Sequence, residues 1–171
     1  RWFTPWKAGE EITLECFETK YPFGDIIFEK NGHKYGFEIC EDAWRSTDRP
    51  GYRLKKRGVD IIFNPSASHF AMGKSEQREI LVKESSTDLG VAYLYVNLLG
   101  NESGRMIFDG EILFSENGHC LVKNKLLSYQ DYELVTVAYP VQQPQPLKLN
   151  HSLDTKNEEF MAASTLALFD Y

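Results

Sequence analysis

The residue best placed for covalent chemistry in this chain is Cys40, which lies between the apolar stretch GFEI and the acidic turn EDAW. A cysteine that closes an apolar strand is more often a buried packing residue than a nucleophile, because thiols are among the most buried side chains. Here, however, the strand pattern ends abruptly, and a strand-to-turn elbow of this kind presents a side chain to a cleft. Cys40 is therefore a candidate nucleophile, with core packing as the alternative.

The charges that flank Cys40 oppose this role. Glu38, Glu41 and Asp42 are close in sequence, and negative charge disfavours the thiolate, the reactive form of cysteine. A nucleophile here requires a lysine or arginine against the sulfur and a carboxylate that acts as general base. The neighbouring sequence indicates neither. A dyad with His69 is disfavoured because no Asn or Asp can be assigned to orient that ring.

A second group of polar residues follows the predicted buried strand over 59–63: Ser66, Ser68, Lys74 and Arg78. Residues at the carboxyl edge of a strand in an α/β sheet point toward its cleft, where a hydroxyl or a cation can bind a small molecule. The alternative is a plain helix start with Ser75 as the N-cap and the two cations in solvent. On the residue pattern alone, the helix start is the better explanation.

Composition excludes several classes of protein. The 171 residues carry a net charge of −6, which provides no cationic surface for nucleic acid or anionic lipid. Apolar runs are far shorter than the roughly 20 residues needed to span a bilayer, so no membrane partner is expected. Three widely spaced cysteines and four scattered histidines fit neither a disulfide framework nor a metal site. We expect a reducing, cytoplasmic compartment and no metal.

The pattern of strands and helices predicts a layered fold. The predicted elements are a hairpin turning at Asn31-Gly32, a short helix after Pro50, strands over 59–63 and 91–96, a helix over 75–89, strands over 107–114 and 119–126 with a turn at Asn117-Gly118, and a strand over 132–139. Alternation of strands and helices favours an α/β or α+β sandwich. A proline-rich linker is expected over 141–154 and a final helix over 155–171.

These residues carry a family resemblance. The segment GFEICEDAW resembles the nucleophile segment of the nitrilase superfamily. RWFTPW, NPSASHFAMGKSEQR and YLYVNLLGNESGRMIFDG together resemble the glutaminase domain of glutamine-dependent NAD synthetases, and NEEFMAASTLALFDY resembles the connection to their ATP-dependent synthetase domain. The resemblance implies an αββα sandwich of the nitrilase type, of which this chain forms about the second half. Residues 1–140 would be the C-terminal portion of the glutaminase domain, and the helix over 155–171 would lead to a synthetase domain.

The resemblance also implies roles for single residues. In a Glu-Lys-Cys triad, Cys40 would attack the side-chain amide of glutamine, and the backbone N–H of Glu41 would help to bind the oxyanion. The matching Glu and Lys would precede Arg1, so the chain by itself is expected to be inactive. Glutamine's backbone amino and carboxylate groups would be contacted by four residues of this chain: Ser66, Ser68, Lys74 and Arg78.

The remaining expectations concern partners. The resemblance implies no cofactor in this chain, ATP and magnesium at the synthetase domain, the remainder of the same polypeptide as partner, and a homo-oligomer. Two other interpretations stay open. One is a stand-alone nitrilase-type amidase acting on another small amide, and the other is a non-catalytic folding or assembly module, which the missing Glu and Lys favour.

Overall fold

A computed structural model describes residues 4–102, 105–140, 147–148 and 155–170. The strands are β1 (Glu11–Cys16), β2 (Thr19–Gly24), β3 (Phe28–Lys30), β4 (His33–Phe37), β5 (Ile61–Ser66), β6 (Ala92–Asn97), β7 (Leu99–Glu102), β8 (Met106–Asp109), β9 (Ile112–Glu116), β10 (His119–Lys123) and β11 (Leu147–Lys148). The helices are α1 (Pro50–Lys56), α2 (Lys74–Leu89) and α3 (Lys156–Phe169). None of the helices in these ranges is long and apolar enough to cross a membrane.

Seven strands form one mixed sheet in the order β11-β10-β9-β6-β5-β4-β3. Strands β4, β5 and β6 are parallel neighbours, whereas β9 runs antiparallel to β6. Parallel strands need crossover connections, which here contain α1 and α2. The carboxyl ends of β4, β5 and β6 therefore meet at one edge of the sheet, and the predicted layered α/β (α+β) fold is confirmed.

The core lies between this sheet and the two crossover helices. Leu54 of α1 and Val82 of α2 pack with Ile62, Tyr93 and Leu113 of the sheet, and all five are buried. Strand alternation places these sheet residues on the same side, because every second side chain faces the helices.

The opposite face of the sheet carries an open set of aromatic rings. Phe28 stacks on Tyr35, and Phe37 stacks on Phe63, with ring centroids 5.7 and 5.5 Å apart. Phe28 and Phe37 remain 38% and 42% exposed. We call these four residues the aromatic face.

Both predicted hairpin turns are confirmed. Asn31 and Gly32 have φ angles of 54° and 78°, and Asn117 and Gly118 have φ angles of 51° and 78°. Two successive residues with positive φ define the type I′ turn, which Asn-Gly favours because both residues tolerate the left-handed region.

Other elements differ from the sequence prediction. Residues 132–139 form no strand; Val135 and Tyr139 pack against the sheet, but the segment has no ladder. The strand expected over 107–114 is two strands, because Gly110 turns the chain with a φ of 69°. The exposed β1–β2 hairpin was not predicted at all.

The start of α2 and the predicted linker also differ from the sequence prediction. Ser75 is not the N-cap of α2; Gly73 holds that position, and the Ser75 hydroxyl donates to Glu111 instead. Leu147–Lys148 of the 141–154 linker pairs with β10, and the rest of the linker lies outside the described residues. Helix α3 confirms the helix expected over 155–171, with Thr155 and Glu158 forming a capping box.

Candidate active site

Cys40 lies in a sharp turn at the carboxyl edge of the sheet. It starts a 3₁₀ turn three residues after Phe37, the last residue of β4, and has a φ of 47°, in the left-handed region that non-glycine residues rarely adopt. The Glu38 N–H donates to the Phe63 carbonyl on the neighbouring strand at 3.0 Å, and the Asn64 side chain donates to the Cys40 carbonyl at 3.5 Å. Strained backbone of this kind persists only where its surroundings hold it.

One holding device is a set of buried polar groups behind Cys40, which we call the Arg49 network: Glu38, Arg49, Gly51, Ser85 and Tyr93. Arg49 donates to both carboxylate oxygens of Glu38, at 3.1 and 2.5 Å. The same carboxylate accepts from the Tyr93 hydroxyl at 2.8 Å and the Gly51 N–H at 2.6 Å. Burial and the charge of Glu38 raise the pKa of Tyr93, which keeps its hydroxyl a donor. The network fixes both ends of the segment that carries Cys40.

In the structure, the three acidic residues near Cys40 are not the uncompensated charges that the sequence suggests. The Glu38 carboxylate is directed into the core, where Arg49 neutralises it. Glu41 forms an ion pair with Arg45 at 2.7 Å, and Asp42 accepts a hydrogen bond from the Ile39 N–H at 3.3 Å. Each of the three neighbouring acids thus has a partner of its own.

The loop from residue 66 to 74, which we call the 66–74 loop, connects β5 to α2 at the same edge of the sheet. The Ser66 hydroxyl donates to the Asn64 side chain at 2.7 Å. At Ser68, both the N–H and the carbonyl bond to the side-chain amide of Asn97, each at 2.8 Å. Asn97 thereby fixes the loop backbone close to the end of β6.

Lys74 ends the loop and begins α2. It is half-buried, and its ammonium donates to the His69 carbonyl at 2.9 Å. Burial lowers the pKa of Lys74 and the charge of Arg78 lowers it further, while Asp109 and Cys40 act in the opposite direction. Lys74 therefore belongs to the electrostatic surroundings of Cys40. The His69 side chain is exposed.

Arg78 is placed differently from the helix-start expectation. Its side chain is fully buried, so the placement in solvent is wrong. The guanidinium donates to Asp109 at 2.6 Å, to Glu111 at 2.9 Å and to the Ser68 carbonyl at 3.1 Å. Arg78 is thus directed at two carboxylates and the loop backbone, and its role as a direct glutamine contact stays a prediction.

Further polar groups complete this second cluster, the Arg78 network: Ser68, Ser75, Arg78, Asn97, Asp109 and Glu111. Asn97 donates to Asp109 at 2.7 Å, and Ser75 donates to Glu111 at 2.5 Å. Burial raises the pKa of Glu111, whereas the hydrogen bonds from Ser75 and Arg78 oppose that shift.

Sequence reasoning missed Arg49, Asn97, Asp109 and Glu111. A usable signal existed for Asn97, a polar residue directly after an apolar strand. Asp109 precedes the turn at Gly110, and only the fold shows that its carboxylate faces Arg78. Within the described ranges, no three His, Cys, Asp or Glu side chains are grouped to hold a metal ion.

Comparison with known proteins places the chain in a class. No protein-family model matches it. An amidase of the nitrilase superfamily from Nesterenkonia AN1 superimposes with a TM-score of 0.52 at 19% identity, over 59% of this chain and 37% of the amidase. This match shows a fold of the nitrilase superfamily.

Other matches are more specific. A glutamine-dependent NAD(+) synthetase from Cytophaga hutchinsonii superimposes over 99% of this chain and 25% of its own, with a TM-score of 0.79 and 38% identity. The putative glutamine-dependent NAD(+) synthetase of Schizosaccharomyces pombe is 31% identical over 150 residues, covering 82% of this chain and 21% of that protein. The chain belongs with the glutamine-dependent NAD(+) synthetases and spans about a fifth of the length of the curated relatives it matches.

Proposed function

We propose that this chain carries the nucleophile and part of the substrate site of a glutaminase that supplies ammonia for NAD(+) synthesis. The observation that carries the proposal is the strained turn at Cys40, at the same sheet edge as the 66–74 loop. It occurs in a chain whose fold matches a glutamine-dependent NAD(+) synthetase over nearly its whole length.

The proposed reaction begins when the Cys40 thiolate attacks the carbon of glutamine's side-chain amide. The carbon–nitrogen bond breaks, the nitrogen takes up a proton, and ammonia leaves a thioester on the sulfur. Water then hydrolyses the thioester to glutamate and regenerates the thiol. The backbone N–H of Glu41 would stabilise the oxyanion in both steps, a contribution of about 3 kcal/mol for one donor.

Glutamine is held by its backbone groups in this proposal. Lys74 would bind the α-carboxylate, because the half-buried ammonium at the end of the 66–74 loop is a suitable cation. The hydroxyls of Ser68 and Ser66 would complete the contacts, with the Ser68 backbone already fixed by Asn97. Arg78 would act through the Ser68 carbonyl.

We infer that the general base and a second cation come from the rest of a longer polypeptide, and that this chain alone does not hydrolyse glutamine. Glu38 is engaged by Arg49 and Glu41 by Arg45, so neither carboxylate is arranged as a base for Cys40. The aromatic face would pack against a second sheet from the same polypeptide. ATP and magnesium would be used only at the separate site where the ammonia is consumed.

The test compares two nitrogen sources in the full-length protein. Cys40→Ala should abolish NAD(+) synthesis driven by glutamine and leave synthesis driven by added ammonia intact, because only amide cleavage uses the thiolate. The matched control is Cys16→Ala, which removes an exposed thiol from the β1–β2 hairpin and should change neither rate. Continued turnover with glutamine in Cys40→Ala would show that the nucleophile assignment is wrong.

The same assay separates the other interpretations. A stand-alone amidase would release ammonia from its amide but would not make NAD(+) from added ammonia and ATP. A non-catalytic module would show no glutamine-driven activity in the full-length protein, and Cys40 would react with iodoacetamide at the rate of an ordinary thiol.

A further inference from the structure

Helix α3 packs against the loop that carries the proposed glutamine contacts. Ala163 and Leu166 of α3 form a buried cluster with Leu127, and they are 3%, 1% and 3% exposed, respectively. Phe70, which lies between Ser68 and Lys74 in the 66–74 loop, packs against this cluster. Phe70 thus joins the 66–74 loop to a buried cluster that includes two residues of α3.

The backbone of the loop is fixed at the same point. The Phe70 N–H donates to the carbonyl of Ile107 in β8 at 2.6 Å, and the Ile107 side chain packs against the same cluster. Ser68 is held from the other direction by Asn97 and Arg78. The loop thus has two anchors, a polar one at Ser68 and an apolar one at Phe70.

Helix α3 is itself fixed near both of its ends. At its C-terminal end, the Asn101 N–H donates to Asp170 at 2.7 Å, and the Asn101 side chain donates to the Ala167 carbonyl at 3.1 Å. Near its start, burial raises the pKa of Glu159, and a hydrogen bond from the Gly73 backbone opposes that shift. Gly73 directly precedes Lys74, so α3 also contacts the loop where it enters α2.

We propose that α3 positions the 66–74 loop for glutamine binding, with Phe70 as the residue that transmits its position. This inference rests on the proposed function, since it assigns a cause to the affinity of that same site. Without the apolar anchor, the loop would adopt the binding-competent arrangement for a smaller fraction of the time, and apparent affinity falls by that fraction. The reacting amide is not held by this loop, so the rate of the bound complex is unaffected.

The test measures steady-state kinetics of the full-length protein. Phe70→Ala should raise KM for glutamine by about 3- to 10-fold and leave kcat within about twofold. The rate with added ammonia should not change. The matched control is Tyr139→Ala, which removes a half-buried aromatic ring that packs against a different buried cluster and should leave KM for glutamine as it is.

A double-mutant cycle asks whether α3 acts through Phe70. Leu166→Ala should raise KM for glutamine, and adding it to Phe70→Ala should raise KM little further, because both remove the same anchor. Should Phe70→Ala not fold, the series Phe70→Leu and Phe70→Val carries the same test, with KM rising as the side chain becomes smaller.

Three results would overturn the inference. These are an unchanged KM for Phe70→Ala, a fall in kcat at constant KM, and effects of Phe70→Ala and Leu166→Ala that multiply. The Cys40→Ala result stands apart from all three. If Cys40→Ala abolishes glutamine use while Phe70→Ala has no effect, only the role of α3 is wrong; if Cys40→Ala keeps glutamine use, the proposed function itself is wrong.

Discussion

The Arg49 network and the Arg78 network each pair a buried arginine with carboxylates, but they differ in the number of carboxylates. Arg49 is paired with a single carboxylate, Glu38, whereas Arg78 serves two, Asp109 and Glu111. The first pairs one guanidinium with one carboxylate, and the second pairs one guanidinium with two carboxylates. The network with a single ion pair holds Glu38, two residues before Cys40 in the chain.

The two networks also differ in what they hold. The Arg49 network bonds to the side chain of Glu38 and the N–H of Gly51, and so fixes the two ends of the turn. The Arg78 network reaches the loop backbone directly, through the carbonyl of Ser68. We infer that the first controls the geometry of the nucleophile and the second controls the geometry of substrate binding.

The largest expected effect comes from Arg78→Met in the full-length protein. It leaves two buried carboxylates without their cation, and the free energy of unfolding should fall by about 5 kcal/mol. Urea unfolding, with hydrogen exchange of the β5 and β6 amides as the local probe, measures the loss. Among molecules that remain folded, KM for glutamine should rise because the Ser68 carbonyl loses a donor. A rise in KM without any loss of stability would contradict the buried placement of Arg78.

A slightly smaller effect is expected for Arg49→Met. Only Glu38 loses its cation, and the free energy of unfolding should fall by about 3 kcal/mol. Here kcat with glutamine should fall at constant KM, because the turn at Cys40 is loosened while the 66–74 loop keeps its anchors. Arg49→Lys is the control: it keeps the charge but loses the two-pronged geometry, so its loss should be intermediate. If Arg49→Met changed KM instead, the division of roles between the networks would be wrong.

Lys74→Met tests the loop without disturbing either network. If Lys74 binds the α-carboxylate in ground and transition states alike, KM for glutamine should rise with little change in kcat. A charge-assisted bond is worth about 1.5 to 3 kcal/mol, or roughly 10- to 150-fold in KM. Ser68→Ala, which removes a neutral hydroxyl, should cost about 0.5 to 1.5 kcal/mol. A KM within about twofold of the parent in Lys74→Met would assign the lysine to solvent.

The smallest expected effect is a pH dependence. Only the protonated ammonium binds a carboxylate, and the pKa of Lys74 lies below its ordinary value because of burial and the charge of Arg78. KM for glutamine should therefore begin to rise at a lower pH than an ordinary lysine would produce. Lys74→Arg should remove this rise, because arginine stays charged throughout. A KM profile measured between about pH 7 and 10 decides the matter, and identical profiles for the two proteins would contradict it.

Local rules were sufficient for some parts of this structure. The Asn-Gly turns follow from backbone sterics alone, and the break in the strand pattern after Ile39 indicated the turn at Cys40. The strand predicted over residues 132–139 is absent. Alternating apolar residues indicate which side chains are covered, but they do not show whether the backbone pairs in a sheet. Arg78 could not be placed from sequence, because a helix surface is identified as buried only when the sheet opposite it is known.

The side chain of Asn97 continues the hydrogen bonding between β5 and β6 beyond the ends of the two strands. Its amide oxygen accepts from the Ser68 N–H, and its nitrogen donates to the Ser68 carbonyl and to Asp109, so all three polar positions of the amide are occupied. The side-chain amide thus donates and accepts hydrogen bonds as the peptide group of a neighbouring strand would. Aspartate in its place would present two acceptors to a carbonyl that needs a donor, and leucine would present neither. Asparagine at position 97 therefore sets both the direction and the register of the 66–74 loop where it leaves the sheet.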